Sequence, residues 1–192
     1  PYTTLFRSET PMYENFGLLI GGRWQSASDR KIISVVSPVT EQHIGTIPAA
    51  TRDDIERTLV TCQQAGLEWR KTSAWSRAAI LRHTADLIRS RIEEIAKIMS
   101  TETGKPLVEA KAEAGASADQ FEWYSEEGKR AYGQIIPSRL AGERLSVVYQ
   151  PVGPCLALSA WNFPLLLPAR KIAAGLAAGC PVISRPASEA PG

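Results

Sequence analysis

The sequence predicts an α/β fold organised around a parallel sheet, and three observations predict it. A strand, a helix and a second strand succeed one another between Pro154 and Ser184. A long stretch of helical periodicity, Thr51 to Ala131, comes before them. Short strands separated by turn residues come first of all. Two strands joined by a helix within about 30 residues describe a βαβ unit, which requires a parallel sheet and a right-handed crossover. One such unit cannot close a sheet, so the expected whole is a larger α/β protein.

The elements follow in order. Residues 1–11 fit no period and are read as a non-native or disordered tail, outside the fold. Leu18 to Trp24 predicts a β-hairpin, because Gly21-Gly22 tolerates the positive φ of a two-residue primed turn. Ile32–Val36 and His43–Ile47 form a second pair of strands, with Ser37, Pro38 and Thr40 as turn residues. At Thr51 the period changes. Thr51 followed by Asp54 resembles a capping box with Asp in place of Glu. Ile55, Leu59, Cys62 and Ala65/Gly66 then recur at helical spacing as far as Trp69. A second helix starts near Ser73, with Ile80, Leu81, Ala85, Leu87 and Ile88 on its apolar face. A break near Ser90 leads to a third helix that stops at Gly104. A fourth runs from Pro106, allowed in a first turn, to about Ala131. Gln134–Leu140 and Arg144–Tyr149 read as strands around an Ala141-Gly142 turn.

Composition narrows the function classes. The chain has 192 residues, 44% hydrophobic and 22% charged, which is ordinary for a globular protein. A net charge of +2, spread along the chain, gives no argument for nucleic acid or a membrane surface as partner. The most apolar stretch, Phe163 to Ile183, is interrupted by Arg170 and Lys171 and fails as a membrane span. Three widely spaced cysteines suit a reducing compartment, and the expectation is a cytoplasmic protein. Cys62, Cys155 and Cys180 read as small buried hydrophobes. His43 and His83 are isolated and make no metal or triad pattern. Glu93-Glu94 and Glu126-Glu127 read as solvated helix faces. Phe121, Trp123, Tyr124 and Tyr132 read as core or subunit packing.

The run Ser159-Ala160-Trp161-Asn162-Phe163-Pro164 lies between the first strand's carboxyl end and the helix. Ligands of open parallel sheets bind at that edge. The Asn162 amide can donate to a developing oxyanion, worth roughly 3–4 kcal/mol in comparable sites. Asn is also favoured as a helix cap, with Pro164 at the first position, and on chemistry alone that role comes first. The oxyanion role stays open beside it.

Trp161-Asn162-Phe163-Pro164, followed by Pro168 to Ala173 and Ala177-Ala178-Gly179-Cys180, resembles the signature run of the aldehyde dehydrogenase superfamily. Glu102-Thr103-Gly104-Lys105-Pro106 and Pro151-Val152-Gly153-Pro154 match two further blocks in the same order. The helix-rich half most resembles the succinate-semialdehyde dehydrogenase branch, through Ala118 to Trp123 leading into Ile136-Pro137. The resemblance implies an aldehyde-dehydrogenase-like fold with an incomplete Rossmann-type parallel sheet. It implies a partial cofactor-binding domain at 12–134 and 152–192, bridging or oligomerisation strands at 135–150, and no catalytic domain. The implied reaction oxidises an aldehyde, with succinate semialdehyde as candidate, to the carboxylic acid with NADP or NAD. The full-length enzyme would be a homo-oligomer, dimer or tetramer. A truncated non-catalytic dinucleotide-binding or interaction protein, and a broad-specificity aldehyde dehydrogenase, are the alternatives.

The resemblance also assigns roles. Asn162 becomes the catalytic residue, half of an oxyanion hole whose other half is a backbone N–H of a later nucleophilic cysteine. That cysteine and the general-base glutamate are expected downstream of residue 192, so the chain alone is expected to be inactive. Ala160 replaces the family's usual proline, which loosens the backbone entering Trp161. Cofactor contacts fall to Ser159, Ala160, Trp161, Arg185, Pro186, Ala187 and Ser188. Arg185 stands where the family usually has Lys, and Ser188 where many NAD-preferring members have Glu. A planar guanidinium binds phosphate bidentately and Ser188 carries no repelling charge, which favours NADP. If Glu189 turns inward to do the acidic work, NAD is favoured instead.

Overall fold

The computed structural model describes residues 16–192; the tail expected over 1–11 lies outside them. Strands β1 (Leu18–Ile20) and β2 (Arg23–Gln25) pair antiparallel. Gly21 and Gly22, at φ 60° and 74°, form their turn, and positive φ at both central residues is what a type I′ turn demands. β3 (Ile32–Val36) and β4 (His43–Pro48) form the second antiparallel pair.

Helix α1 (Arg52–Trp69) opens on the expected capping box: the Thr51 hydroxyl accepts from Asp54 N–H, and the Asp54 carboxylate accepts from Thr51 N–H at 2.9 Å. Asp54 also accepts from Ser28 N–H and pairs with Arg57. Those backbone bonds from Thr51 and Ser28, then Arg57, hold its carboxyl well below the usual range. α2 (Ala74–Ser90) is capped by Ser73, and α3 (Ile92–Thr103) ends at Gly104, which is left-handed at φ 73°. α4 spans Leu107–Glu127 and a single 3₁₀ turn carries it to Arg130. Pro106 precedes the helix as its N-cap rather than lying inside its first turn.

The core is narrow and rich in alanine. Leu81 and Ala85 of α2, Ala118 and Phe121 of α4, and Ala169, Ala173 and Ala177 of α5 (Leu166–Ala177) form one buried cluster. Small side chains let these three helices approach closely. Ile80 and Leu87, expected on a buried face, are exposed, because the α2 face that meets α4 runs through Ala78, Leu81 and Ala85; on α1, Ile55 and Leu59 are exposed too, and Cys62 is buried. A second cluster joins Ala96 and Met99 of α3 to Ala110 of α4, with Leu165 packed against it.

β5 (Gln134–Pro137) and β6 (Arg144–Val147) form a hairpin that is shorter than its sequence pattern and exposed at every position. β7 (Cys155–Leu158) and β8 (Val182–Arg185) pair in parallel, from Cys155 opposite Val182 to Leu158 opposite Arg185, with α5 as the crossover. Gly175 permits this packing: a Cβ there would lie 2.7 Å from Val182 Cγ2. The far end of α5 is tied down by Trp69, whose Nε1 donates to the Leu176 carbonyl at 3.1 Å, and by Arg77, whose Nε donates to the Ala177 carbonyl at 3.1 Å.

Candidate functional site

The predicted site residues converge where β7 and β8 end together. Ser159 N–H donates to the Arg185 carbonyl at 3.2 Å, extending the parallel ladder one step beyond β7. Ser159 itself is buried, and its hydroxyl oxygen has no hydrogen-bond partner among the described residues. A buried hydroxyl without a partner is uncommon and marks a place where a ligand group or water fits. The chain then turns through residues 161–165 before α5 begins at Leu166.

Asn162 does not cap this helix. The N-cap is Leu165, which offers no side-chain bond, and the exposed Asn162 amide makes no hydrogen bond among the described residues. Capping falls to a residue 52 positions away: Glu113 Oε1 accepts from Leu165 N–H at 3.0 Å and Leu166 N–H at 3.1 Å. The other Glu113 oxygen pairs with Lys105 Nζ. Lys105 in turn donates to the Asn162 carbonyl at 2.8 Å and lies 4.1 Å from the centroid of the Phe163 ring. The blocks Glu102–Pro106 and Trp161–Pro164 therefore meet through one buried ion pair.

The turn that presents Lys105 is built locally. Thr103 Oγ1 donates to the Met99 carbonyl at 2.7 Å and accepts from Lys105 N–H at 3.2 Å, while Ser100 Oγ donates to the Lys105 carbonyl at 2.7 Å. Gly104 supplies the left-handed backbone that lets the chain reverse here.

A cavity of about 240 Å³ lies beside this loop, lined by Val36, Pro38, Glu102, Thr103, Trp161 and Glu189. Beyond β8, Arg185 donates from Nη2 to Ser188 Oγ at 3.1 Å, so the two residues singled out for cofactor choice form one unit. Pro186 is exposed and Ala187 buried beneath it. Ala160 is exposed at the start of the turn. Glu189 reaches the cavity wall beside Trp161, which Ser188 does not.

The remaining candidates behave as their surroundings dictate. Cys62 and Cys180 are buried, and burial pushes the Cys62 thiol above its usual range. The Cys155 thiol is raised by burial and by neighbouring Cys180. A raised thiol is a poor nucleophile near neutral pH. His43 and His83 are exposed, and no cluster of metal-ligating side chains occurs among the described residues. Glu93, Glu94, Glu126 and Glu127 all sit in surface ion pairs. Phe121 is core, whereas Trp123 and Tyr132 are exposed.

Sequence reasoning missed Glu113 and gave Lys105 no role. A signal was present: Glu113 shares a helix face with Ala110, Ala114, Ser117, Ala118 and Phe121, all buried. A carboxylate on a stripe of small buried residues needs a partner.

The Aldehyde dehydrogenase family profile matches residues 24–192. The 4-(hydroxymethyl)benzenesulfonate dehydrogenase TsaD1 of Comamonas testosteroni is 40% identical over 182 residues, covering 95% of this chain and 38% of its own length. The succinate-semialdehyde dehydrogenase [NADP(+)] GabD of Escherichia coli is 39% identical over 173 residues, covering 90% and 36%. The structure of succinate-semialdehyde dehydrogenase from Burkholderia pseudomallei superposes with a TM-score of 0.91 at 39% identity, over 96% of this chain and 38% of that one. The chain thus spans under two fifths of the length of the relatives it matches. Structures similar to it include a 3,6-anhydro-L-galactose dehydrogenase in complex with NAP, at 36% identity and TM-score 0.88 over 92% of this chain and 37% of that one. They also include a Staphylococcus aureus betaine aldehyde dehydrogenase in complex with NAD+, at 27% identity and TM-score 0.89 over 92% and 36%.

Proposed function

The chain belongs to the aldehyde dehydrogenase family, and we propose that the whole enzyme oxidises succinate semialdehyde, or an aldehyde with a similar remote acid group, to the carboxylic acid with NADP. The observation that carries this reading is the Asn162 amide, exposed at the carboxyl edge of a parallel strand pair and, among the described residues, unspent on any other bond. Attack of a nucleophile on the aldehyde carbon turns the carbonyl oxygen into an oxyanion. An amide N–H waiting at that point stabilises the charge as it develops, at little reorganisation cost. A nicotinamide bound beside this edge would supply the hydride acceptor for that carbon, and water would then release the acid.

Asn162 is the catalytic residue in this reading. We do not assign Cys62, Cys155 or Cys180 as its nucleophile, since each is at least partly buried and burial raises the thiols of Cys62 and Cys155. We place the nucleophilic cysteine and the general base in parts of the enzyme beyond these residues, and expect this chain alone to be inactive.

The residues fit a dinucleotide. The Ser159 hydroxyl, unpartnered among the described residues, the exposed Ala160 and Trp161, and the Arg185–Pro186–Ala187–Ser188 run flank one edge of the β7–β8 pair. Arg185 bonds Ser188 through a single nitrogen, which leaves donors for a phosphate, and neutral Ser188 does not repel one. Glu189 on the cavity wall favours the NAD reading instead. Fluorescence titration of the whole enzyme decides: NAD binding at least tenfold tighter than NADP overturns the NADP assignment.

The β5–β6 hairpin, exposed throughout, supports a bridging role for residues 135–150 in a homodimer or homotetramer, with the cofactor domain at 12–134 and 152–192. No described helix is long and apolar enough to cross a membrane, and we place the enzyme in the cytoplasm. The substrate is tested by following cofactor reduction with succinate semialdehyde against butanal. A clear preference in kcat/KM for the acid-bearing aldehyde is expected; equal or better use of butanal contradicts it.

A further inference from the structure

We infer that Lys105 and Glu113 are positioning residues for Asn162, acting as a clamp on the backbone at both ends of its loop. The inference rests on the oxyanion reading of Asn162 and adds to it how the amide is aimed. Ala160 provides no ring to restrain the backbone entering the loop, and among the described residues Asn162 is bonded through no side-chain atom. What places it is therefore the backbone that carries it, and that backbone is held from elsewhere.

The clamp uses its capacity fully. An ammonium has three N–H groups. Those of Lys105 face the Glu113 carboxylate, the Asn162 carbonyl and the Phe163 ring. Glu113 spends one oxygen on Lys105 and the other on the N–H groups of Leu165 and Leu166. The carbonyl of Asn162 and the first turn of α5 are thus tied to a single point on α4. The side chains are 12% and 1% exposed. Burying two charges is costly unless their remaining valences are met, and removing one partner strands the other. A pair that contributed only to stability could be replaced by apolar residues; this one also spans two backbone segments of the loop. Leu165, packed on the α3–α4 cluster, gives the loop its third anchor.

A double-mutant cycle in the whole enzyme tests this, with Asn162→Ala, Lys105→Met and the combination. Misplacing a reacting group by about 1 Å costs up to roughly 100-fold in rate. We expect Lys105→Met to lower kcat about 10- to 100-fold, with cofactor Kd little changed. In the Asn162→Ala background the same change is expected to lower kcat by less than about threefold, because residues that act as a unit are not additive. Losses that multiply in the double variant, or an unchanged kcat in Lys105→Met, overturn the clamp and leave the Asn162 assignment standing. An unchanged kcat in Asn162→Ala overturns both. If Lys105→Met does not fold, Glu113→Gln replaces it: its amide oxygen still accepts from the α5 backbone but no longer holds the ammonium. It should lower kcat in the parent and not in Asn162→Ala; equal effects in both contradict the inference.

Discussion

Two stretches of this chain expose large apolar side chains, and they are held in opposite ways. The turn at 161–165 shows Trp161 and Phe163 to solvent, yet its backbone is bonded to Lys105 and Glu113 and its last residue packs on buried α3 and α4 side chains. The β5–β6 hairpin shows Ile135, Leu145 and Val147, and among the described residues its hydrogen bonds stay within the hairpin. Isolated two-stranded hairpins are marginally stable in water. The turn is held by its own chain, as the proposed role of Asn162 at a transition state requires. The hairpin, exposed at every position, is the part of the chain for which we propose a bridging role.

Substitutions can break that contrast. The largest expected effect is in the core that seats α5, the helix following the turn: Leu81 of α2, 1% exposed, packs with α4 and α5 side chains. Leu81→Ala should cost about 2–5 kcal/mol in chemical denaturation, and a loss below that range would mean the helices repack freely. Next is Ser188→Glu, which places a carboxylate beside Arg185. It should shift the NADP-to-NAD affinity ratio at least about tenfold towards NAD, or about 1.4 kcal/mol; an unchanged ratio in titration would remove the Arg185–Ser188 unit from cofactor choice.

Smaller effects follow at the entrance to α1. Thr51→Ala should cost about 1 kcal/mol, as N-cap losses do. Asp54, whose folded pKa is depressed, contributes stability that is present above its unfolded value of about 3.9 and lost as pH falls through the folded value. The penalty of Asp54→Asn should therefore be full at pH 7 and shrink below about pH 4; a penalty independent of pH in urea melts would assign it to shape alone. The smallest effect is on the hairpin. Ile135→Lys should change stability by less than about 0.5 kcal/mol while lowering the assembled mass in sedimentation. A large loss of monomer stability, or unaltered assembly, would erase the contrast between the two stretches.

What was legible in the sequence was local. Gly21-Gly22, Thr51 with Asp54, Ser73 and Gly104 each set a backbone feature within a few residues, and all four perform as read. The βαβ succession was legible because strand and helix periods differ. Strand lengths in the hairpin were overextended, because an exposed pair has no packing to prolong it. The support of the site was illegible: Lys105 meets the Asn162 carbonyl across 57 positions and Glu113 meets Leu165 across 52, and no local period encodes either. Asn162 before Pro164 suggested a cap by propensity, and tertiary contact gave that task to Glu113.

The central claim is that the free amide of Asn162 stabilises charge in the transition state. It is tested most directly by comparing Asn162→Ala with the unaltered whole enzyme under saturating aldehyde and cofactor, with cofactor affinity measured in parallel. The account predicts a fall in kcat of about 10²–10³ with cofactor affinity retained. A kcat within about threefold of the unaltered enzyme would contradict it.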